Sequence, residues 1–421
     1  METVRLDREV HQSTAPNGLM VLSERVAHVR SAAVGVWVRT ASVHEPRPKM
    51  GVSHLLEHMV FKGTERRSAQ EIALELESRG GSLDAYTSRD HTAFQARVLD
   101  ADLPRAVDVL TDIVRRPLLR DDDLSLERNV VLEEISTVDD TPDDLVFELL
   151  AAALWPEHPY GYSILGTRDT VGALSTGDLK HLHGQAYFPG NCVVAAAGNL
   201  THTRLLDLLE QLDWFEGTIR QTAPAAPSPP PAVRGATSRH TKDTAQTHVV
   251  IATDAVPFAD RRKFALLVLS NVLGGGMSSR LFRRIREELG LAYAIYSYAS
   301  FYRQVGVLGT YVGTQPAKAA EATAAILSEY EKLSREGLRG DALAEAKRQT
   351  AGQLMLSLES PVSRMYRLAG FPVYGDQYLN LDEMVARVEG LTEGDVAAVA
   401  QEYLAPERQT TVSLGPETTR R

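Results

Sequence analysis

The residues with the clearest capacity for chemistry are His54, Glu57 and His58, in the run His54-Leu55-Leu56-Glu57-His58. On a helix the positions i, i+3 and i+4 fall on one face, so the three side chains point the same way. Two imidazoles one turn apart can both reach a single tetrahedral zinc ion, leaving room for a third protein ligand and a water. The glutamate between them then lies beside that water and can take its proton as a general base. The order His-x-x-Glu-His reverses the commoner His-Glu-x-x-His arrangement. The same residues also suit a helix whose Leu55 and Leu56 face a core while the polar trio closes a structural cluster.

A zinc ion held by two histidines lacks a ligand, and a carboxylate is the usual complement. Further along, Glu127 and Glu134 are seven residues apart, so on a helix they share a face. Glu133 and Glu134 stand between Val130-Val131-Leu132 and Ile135, so at least one of them faces a particular environment. Residue types alone leave the choice between 133 and 134 open.

Side chains so far apart in sequence need a frame. At 421 residues the chain exceeds one ordinary core, so two or more domains are expected. The Pro-rich run from Thr222 to Ala232 reads as an extended, semi-rigid linker. It divides the chain into halves that repeat, since Leu124 through Pro142 aligns without gaps onto Leu343 through Pro361. Each half offers a strand, an apolar helix, a strand pair and another helix. In the first half these strands are Ala33–Val38, Ser82–Thr87 and Thr92–Val98; in the second, Thr247–Ala252, Tyr293–Ser297 and Gly306–Tyr311. The expected fold is α+β, two homologous α/β-sandwich halves over 1–221 and 239–421, joined by a linker over 222–238. The repeat breaks where the chemistry lies. Glu134 aligns with Gln353 and Glu127 with Ala346, and the second half has no His-x-x-Glu-His.

Composition excludes several classes. An apolar fraction of 43% and a charged fraction of 24% are those of a globular protein. No apolar run reaches the roughly 18 residues a membrane helix needs. The net charge of −10 argues against nucleic acid and suits basic peptides. Residues Met1 to Asp7 lack a basic-then-apolar signal pattern, and the single cysteine, Cys192, reads as a buried small hydrophobe in the run leading to Ala197. A cytoplasmic protein is expected. Gly274-Gly275-Gly276 lacks the lysine of a phosphate-binding loop and reads as a flexible loop. His181 and His183 diverge around a helix and read as a surface pair.

The run His54 to His58, continued by Met59-Val60-Phe61-Lys62-Gly63-Thr64, resembles the pitrilysin family of zinc peptidases, in particular its mitochondrial-processing-peptidase branch. Glu127-Arg128-Asn129-Val130-Val131-Leu132-Glu133-Glu134 resembles the family's third-ligand stretch. Its spacing implies Glu134 as ligand and Glu127 as the residue that orients one. His158-Pro159-Tyr160-Gly161, Ile164-Leu165-Gly166-Thr167 and Ala195-Ala196-Ala197-Gly198-Asn199 extend the resemblance over nearly the whole chain. In the second half, Arg286 through Tyr293 resembles an Arg–Tyr pair in which Arg286 would hold the substrate backbone and Tyr293 donate to the oxyanion.

The resemblance implies one Zn2+ per chain on His54, His58 and Glu134, with Glu57 as general base. It implies peptide substrates added as a strand to the sheet edge near Gly80 to Thr87, with Ala85 in that strand. Phe61 would line the pocket after the cleaved bond, core packing being the alternative. Asp144 and Glu148, one turn apart, would take an arginine, the alternative being a solvated acidic segment with Asp139, Asp140 and Asp143. Two such chains close around a chamber, and a homodimer is expected because this chain carries both the metal residues and the Arg–Tyr pair. The expected function is a zinc endopeptidase acting on peptides or unfolded, presequence-like segments. The alternatives are a non-catalytic assembly subunit, or a partner-dependent subunit of a heterodimeric processing peptidase.

Overall fold

The computed structural model describes residues 1–217 and 222–417, so the expected domain limits at 221 and 421 lie outside the described residues. The chain forms two compact units. One comprises Met1–Ile135, Ser163–Pro227 and Ser357–Tyr378; the other comprises Ser136–Tyr162, Ser228–Leu356 and Leu379–Arg421. Among the described residues no helix is long and apolar enough to cross a membrane.

The first unit holds a seven-stranded sheet of β1 (Glu2–Arg5), β2 (Val10–Thr14), β3 (Met20–Arg25), β4 (Ser31–Val38), β5 (Ser82–Thr87), β6 (Thr92–Leu99) and β7 (Cys192–Gly198), in the order β1-β2-β3-β7-β4-β6-β5. Only β3 and β7 pair in parallel. The apolar run expected as a strand is β4, and it is apolar at successive positions because both of its faces are covered. Val34, Val36 and Val38 enter one core, Ala33 and Trp37 another. Helices α1 (Val52–Val60), α2 (Ala69–Glu77) and α3 (Leu103–Arg115) cover the first face with Leu55, Leu56, Met59, Ile72, Leu110 and Ile113. Helix α4 (Asp121–Asp140) buries Leu124, Glu127, Val131 and Ile135, a stripe at helical spacing that includes one carboxylate. Cys192 opens β7 fully buried, and burial pushes its thiol up to about 12.

The other face of this sheet is covered from the far half of the chain. Helix Pro361–Tyr374 sets Met365, Leu368, Ala369 and Val373 against Leu22, Trp37, Val193 and Ala195. Arg364 and Arg367 on the same helix pair with the buried Glu24 of β3. Each large apolar side chain buried here is worth about 1.5–3 kcal/mol, whereas a buried ion pair roughly offsets its own desolvation. The apolar face therefore holds the helix on the sheet, and the arginines fix its orientation.

The second unit repeats the pattern with β8 (Thr237–Thr241), β9 (Thr247–Ala255), β10 (Ala292–Phe301), β11 (Gly306–Thr314) and β12 (Thr410–Gly415), in the order β10-β11-β9-β12-β8. Read from its end, this order matches β5-β6-β4-β7-β3, including the parallel pair. It receives helix α5 (Pro142–Leu154) from the first half, which packs on β9 and β12 and places Phe147 against Tyr298 and Tyr311. Pro142 and Pro361, equivalent in the sequence repeat, each open one of these exchanged helices. Gly274 ends helix Lys263–Gly274 where a Cβ would come within 2.3 Å of the Ser297 amide nitrogen, so close packing on β10 explains this glycine.

Candidate metal centre

The motif residues sit on α1, whose sequence makes it amphipathic. Leu55, Leu56, Met59 and Val60 are buried, while His54, Glu57 and His58 are partly exposed on the opposite face. The helix begins at Gly51, which has φ +88° and lies so close to the Leu165 carbonyl that a Cβ would stand 2.6 Å from its oxygen. A capping side chain is thus excluded at that position. The buried carboxylate of Glu45 substitutes for it, accepting from the amides of Gly51 at 2.8 Å and Ser53 at 2.7 Å. Burial pushes the Glu45 carboxyl up to about 7, against the pull of these bonds.

α4 brings the third residue. Nε2 of His54 lies 3.5 Å and Nε2 of His58 3.6 Å from the two oxygens of Glu134. One ligand atom from each residue falls within 4.8 Å of the others, and among the described residues this is the one group of that kind. Ligands at about 2.0–2.1 Å from a tetrahedral zinc stand about 3.3 Å from one another, and the two histidine–carboxylate separations are close to that distance. Burial, with His58 close by, lowers His54 to about 4, which keeps its imidazole neutral near pH 7, the form in which a histidine can ligate a metal. Glu133, the other glutamate of the pair, is exposed, about 100° around α4 from Glu134.

Two carboxylates complete the surroundings. Glu127 Oε2 accepts from His58 Nδ1 at 3.1 Å, and its other oxygen meets Lys62 Nζ at 2.5 Å. A carboxylate facing Nδ1 places the ring proton there and leaves the Nε2 lone pair directed at Glu134. Glu57 receives a 2.6 Å hydrogen bond from the Thr87 hydroxyl at the end of β5. Burial raises the Glu57 carboxyl above the usual carboxylate range, while Thr87 and His58 oppose that shift.

The remaining expected residues are placed as follows. Ala85 lies in β5, which ends the sheet order and, among the described residues, pairs with β6 alone, leaving its other edge unpaired. Phe61 caps the end of α1 and packs on the core, its ring 6.4 Å from that of Phe94. Arg286 and Tyr293 belong to the second unit. Arg286 stands on a π-helical turn, Phe282–Glu288, with its guanidinium 4.5 Å from the centre of the 77%-exposed Tyr293 ring. Asp144 and Glu148 are also in the second unit, on α5, where Asp144 adds to the negative charge that, after burial, raises Tyr296 and Tyr311. The expectation of a surface pair at His181 and His183 is corrected. His183 is half-buried, with Nε2 2.9 Å from the Val114 carbonyl oxygen, because the helix Thr176–Ala186 turns it inward while His181 stays exposed.

Sequence reasoning passed over Glu45, Thr87 and the partner role of Lys62. Thr87 and Lys62 lay inside runs already singled out. Glu45 carried no signal beyond the glycine that precedes α1 without a capping side chain.

Comparison with known proteins gives the same outline. Residues 20–168 match the family model described as insulinase, peptidase family M16, and residues 173–350 match that described as the peptidase M16 inactive domain. An uncharacterized zinc protease of Streptomyces coelicolor is 35% identical over 413 residues, 97% of this chain and 90% of that protein. The uncharacterized zinc protease YmxG of Bacillus subtilis is 36% identical over 393 residues, 93% of this chain and 95% of its own length. The crystal structure of a protease from Helicobacter pylori superposes with a TM-score of 0.92 at 25% identity, covering 97% of this chain and 99% of that one. Most of the match to the domain described as inactive falls in the half that lacks the His-x-x-Glu-His run. Identity at this level along almost the full length places the chain in peptidase family M16.

Proposed function

We propose that the protein is a zinc-dependent endopeptidase with one ion per chain, held by His54, His58 and Glu134. The observation that carries this reading is the convergence of two imidazole nitrogens and a carboxylate within 4.8 Å of one another, beside a second glutamate whose carboxyl burial raises. Zinc at that position would polarise a peptide carbonyl and make a water molecule acidic near neutral pH. Glu57 takes the proton of the attacking water and returns it to the leaving amine. Thr87 holds one of its oxygens and leaves the other to work. Glu127 keeps the His58 ring in the orientation and tautomer that direct Nε2 inward.

The open side of β5 supports extended peptides as substrates, since backbone pairing there reads no side chains and ends at Thr87, the residue that touches the base. For Arg286 and Tyr293, the roles of backbone clamp and oxyanion donor rest on the resemblance, as do the arginine pocket of Asp144 and Glu148 and the place of Phe61 in a substrate pocket. A homodimer enclosing a chamber is the proposed assembly, supported by one chain carrying every one of these residues. The test is cleavage of a fluorescence-quenched, arginine-containing peptide by the purified chain. Cleavage lost on chelation and restored by zinc is the expected result; cleavage indifferent to the chelator would overturn the proposal.

A further inference from the structure

The two histidines of the trio are held by different means. His58 is fixed through Nδ1 by Glu127. Nδ1 of His54 is buried and has no hydrogen-bond partner. A metal-bound histidine ordinarily donates its second ring N–H to a fixed acceptor, which sets the ring's direction. Lacking that, the His54 ring takes its direction from the backbone that carries it, the first turn of α1.

That turn is set from outside the helix. Gly51 at its start has no side chain to cap with, and the Leu165 carbonyl leaves no space for one. Two of the free amides of the turn, those of Gly51 and Ser53, are instead bridged by the two oxygens of Glu45. Glu45 is only 5% exposed, so solvent competes little for either bond. Its own loop is anchored by the Val43 amide, which donates to the Arg89 carbonyl at 3.0 Å. The residue after Ser53 is His54. A shift of the first turn therefore moves one ligand while Glu127 continues to hold the other.

We propose that Glu45 is a positioning residue of the metal centre, aiming the His54 imidazole by bridging the Gly51 and Ser53 amides. The inference rests on the metal-centre reading above, and its test separates the two. Full-length wild type, Glu45→Gln, Glu45→Asp and His54→Ala are stripped of metal and titrated with Co2+. Affinity is read by chelator competition, and geometry by the visible spectrum of the bound ion. Gln keeps the volume but offers one acceptor oxygen; Asp keeps both oxygens but is one methylene short, so if one variant does not fold the other carries the test. The expected result is folded protein with affinity reduced about tenfold or more and an altered cobalt spectrum. A residue that merely stabilised the helix would lower the melting temperature and leave affinity and spectrum unchanged, and that outcome overturns the proposal. Wild-type affinity in His54→Ala would instead overturn the metal centre itself.

Discussion

At the scale of single residues, the site is a set of groups whose neighbours decide what they can do. Glu57 and Glu127 are both glutamates within reach of His58, yet Thr87 caps one and Lys62 neutralises the other. We predict that Thr87→Val lowers kcat about tenfold with KM nearly unchanged, and that Thr87→Ser restores it, in steady-state peptide cleavage. A hydrogen bond to a charged group is worth about 1.5–3 kcal/mol, enough for that loss. An unchanged kcat would remove Thr87 from the account. His54, Glu57 and His58 were legible because helix periodicity alone aligns them. The preference for Glu134 over Glu133 was not legible from residue types, since it depends on which side of α4 meets α1. Glu45 was hidden because its partners are backbone amides, which carry no residue identity.

At the scale of elements, α1 depends on contacts made outside it at its first turn. Gly51 and Gly166 pass each other closely, each with a positive φ, and neither tolerates a Cβ. We predict that Gly51→Ala destabilises the protein by about 1–3 kcal/mol in denaturant unfolding, from backbone strain and collision with the Leu165 carbonyl. Wild-type stability in that variant would show that the loop can retreat without cost. The strands at 33–38, 82–87 and 247–252 were readable from their apolar or alternating patterns, and each falls inside an observed strand. The exchange of α5 and Pro361–Tyr374 between the halves of the chain was not readable. An amphipathic helix records that it has an apolar face, not which sheet that face will meet.

At the scale of the whole molecule, the exchange makes each half of the chain incomplete. We predict that residues 1–227 expressed alone do not yield a folded monomer in size-exclusion chromatography and circular dichroism. Leu22, Trp37, Val193 and Ala195 would lose the helix that covers them, and Glu24 its two arginines. A stable, folded monomer would contradict this. Stability should also follow pH in a stated direction. Burial lowers His54, His91 and His202 each to about 4, while it pushes Glu45 up to about 7 and raises Glu57. As pH falls from 6.5 toward 4.5, the unfolded chain charges three histidines that the folded protein keeps neutral. The folded protein meanwhile holds a proton on Glu45 that the unfolded chain releases, and the raised Glu57 works in the same direction. Unfolding then takes up protons on balance, so the metal-free protein should lose stability as pH falls across this window. Stability that rises on acidification would contradict these burial assignments.

The central claim, that Glu57 is the base of a zinc-dependent hydrolysis, is tested most directly by assaying wild type and Glu57→Gln side by side for peptide cleavage and zinc content. The account predicts equal zinc in both, with turnover in the variant reduced about a thousandfold. Near-wild-type turnover by zinc-loaded Glu57→Gln would contradict it.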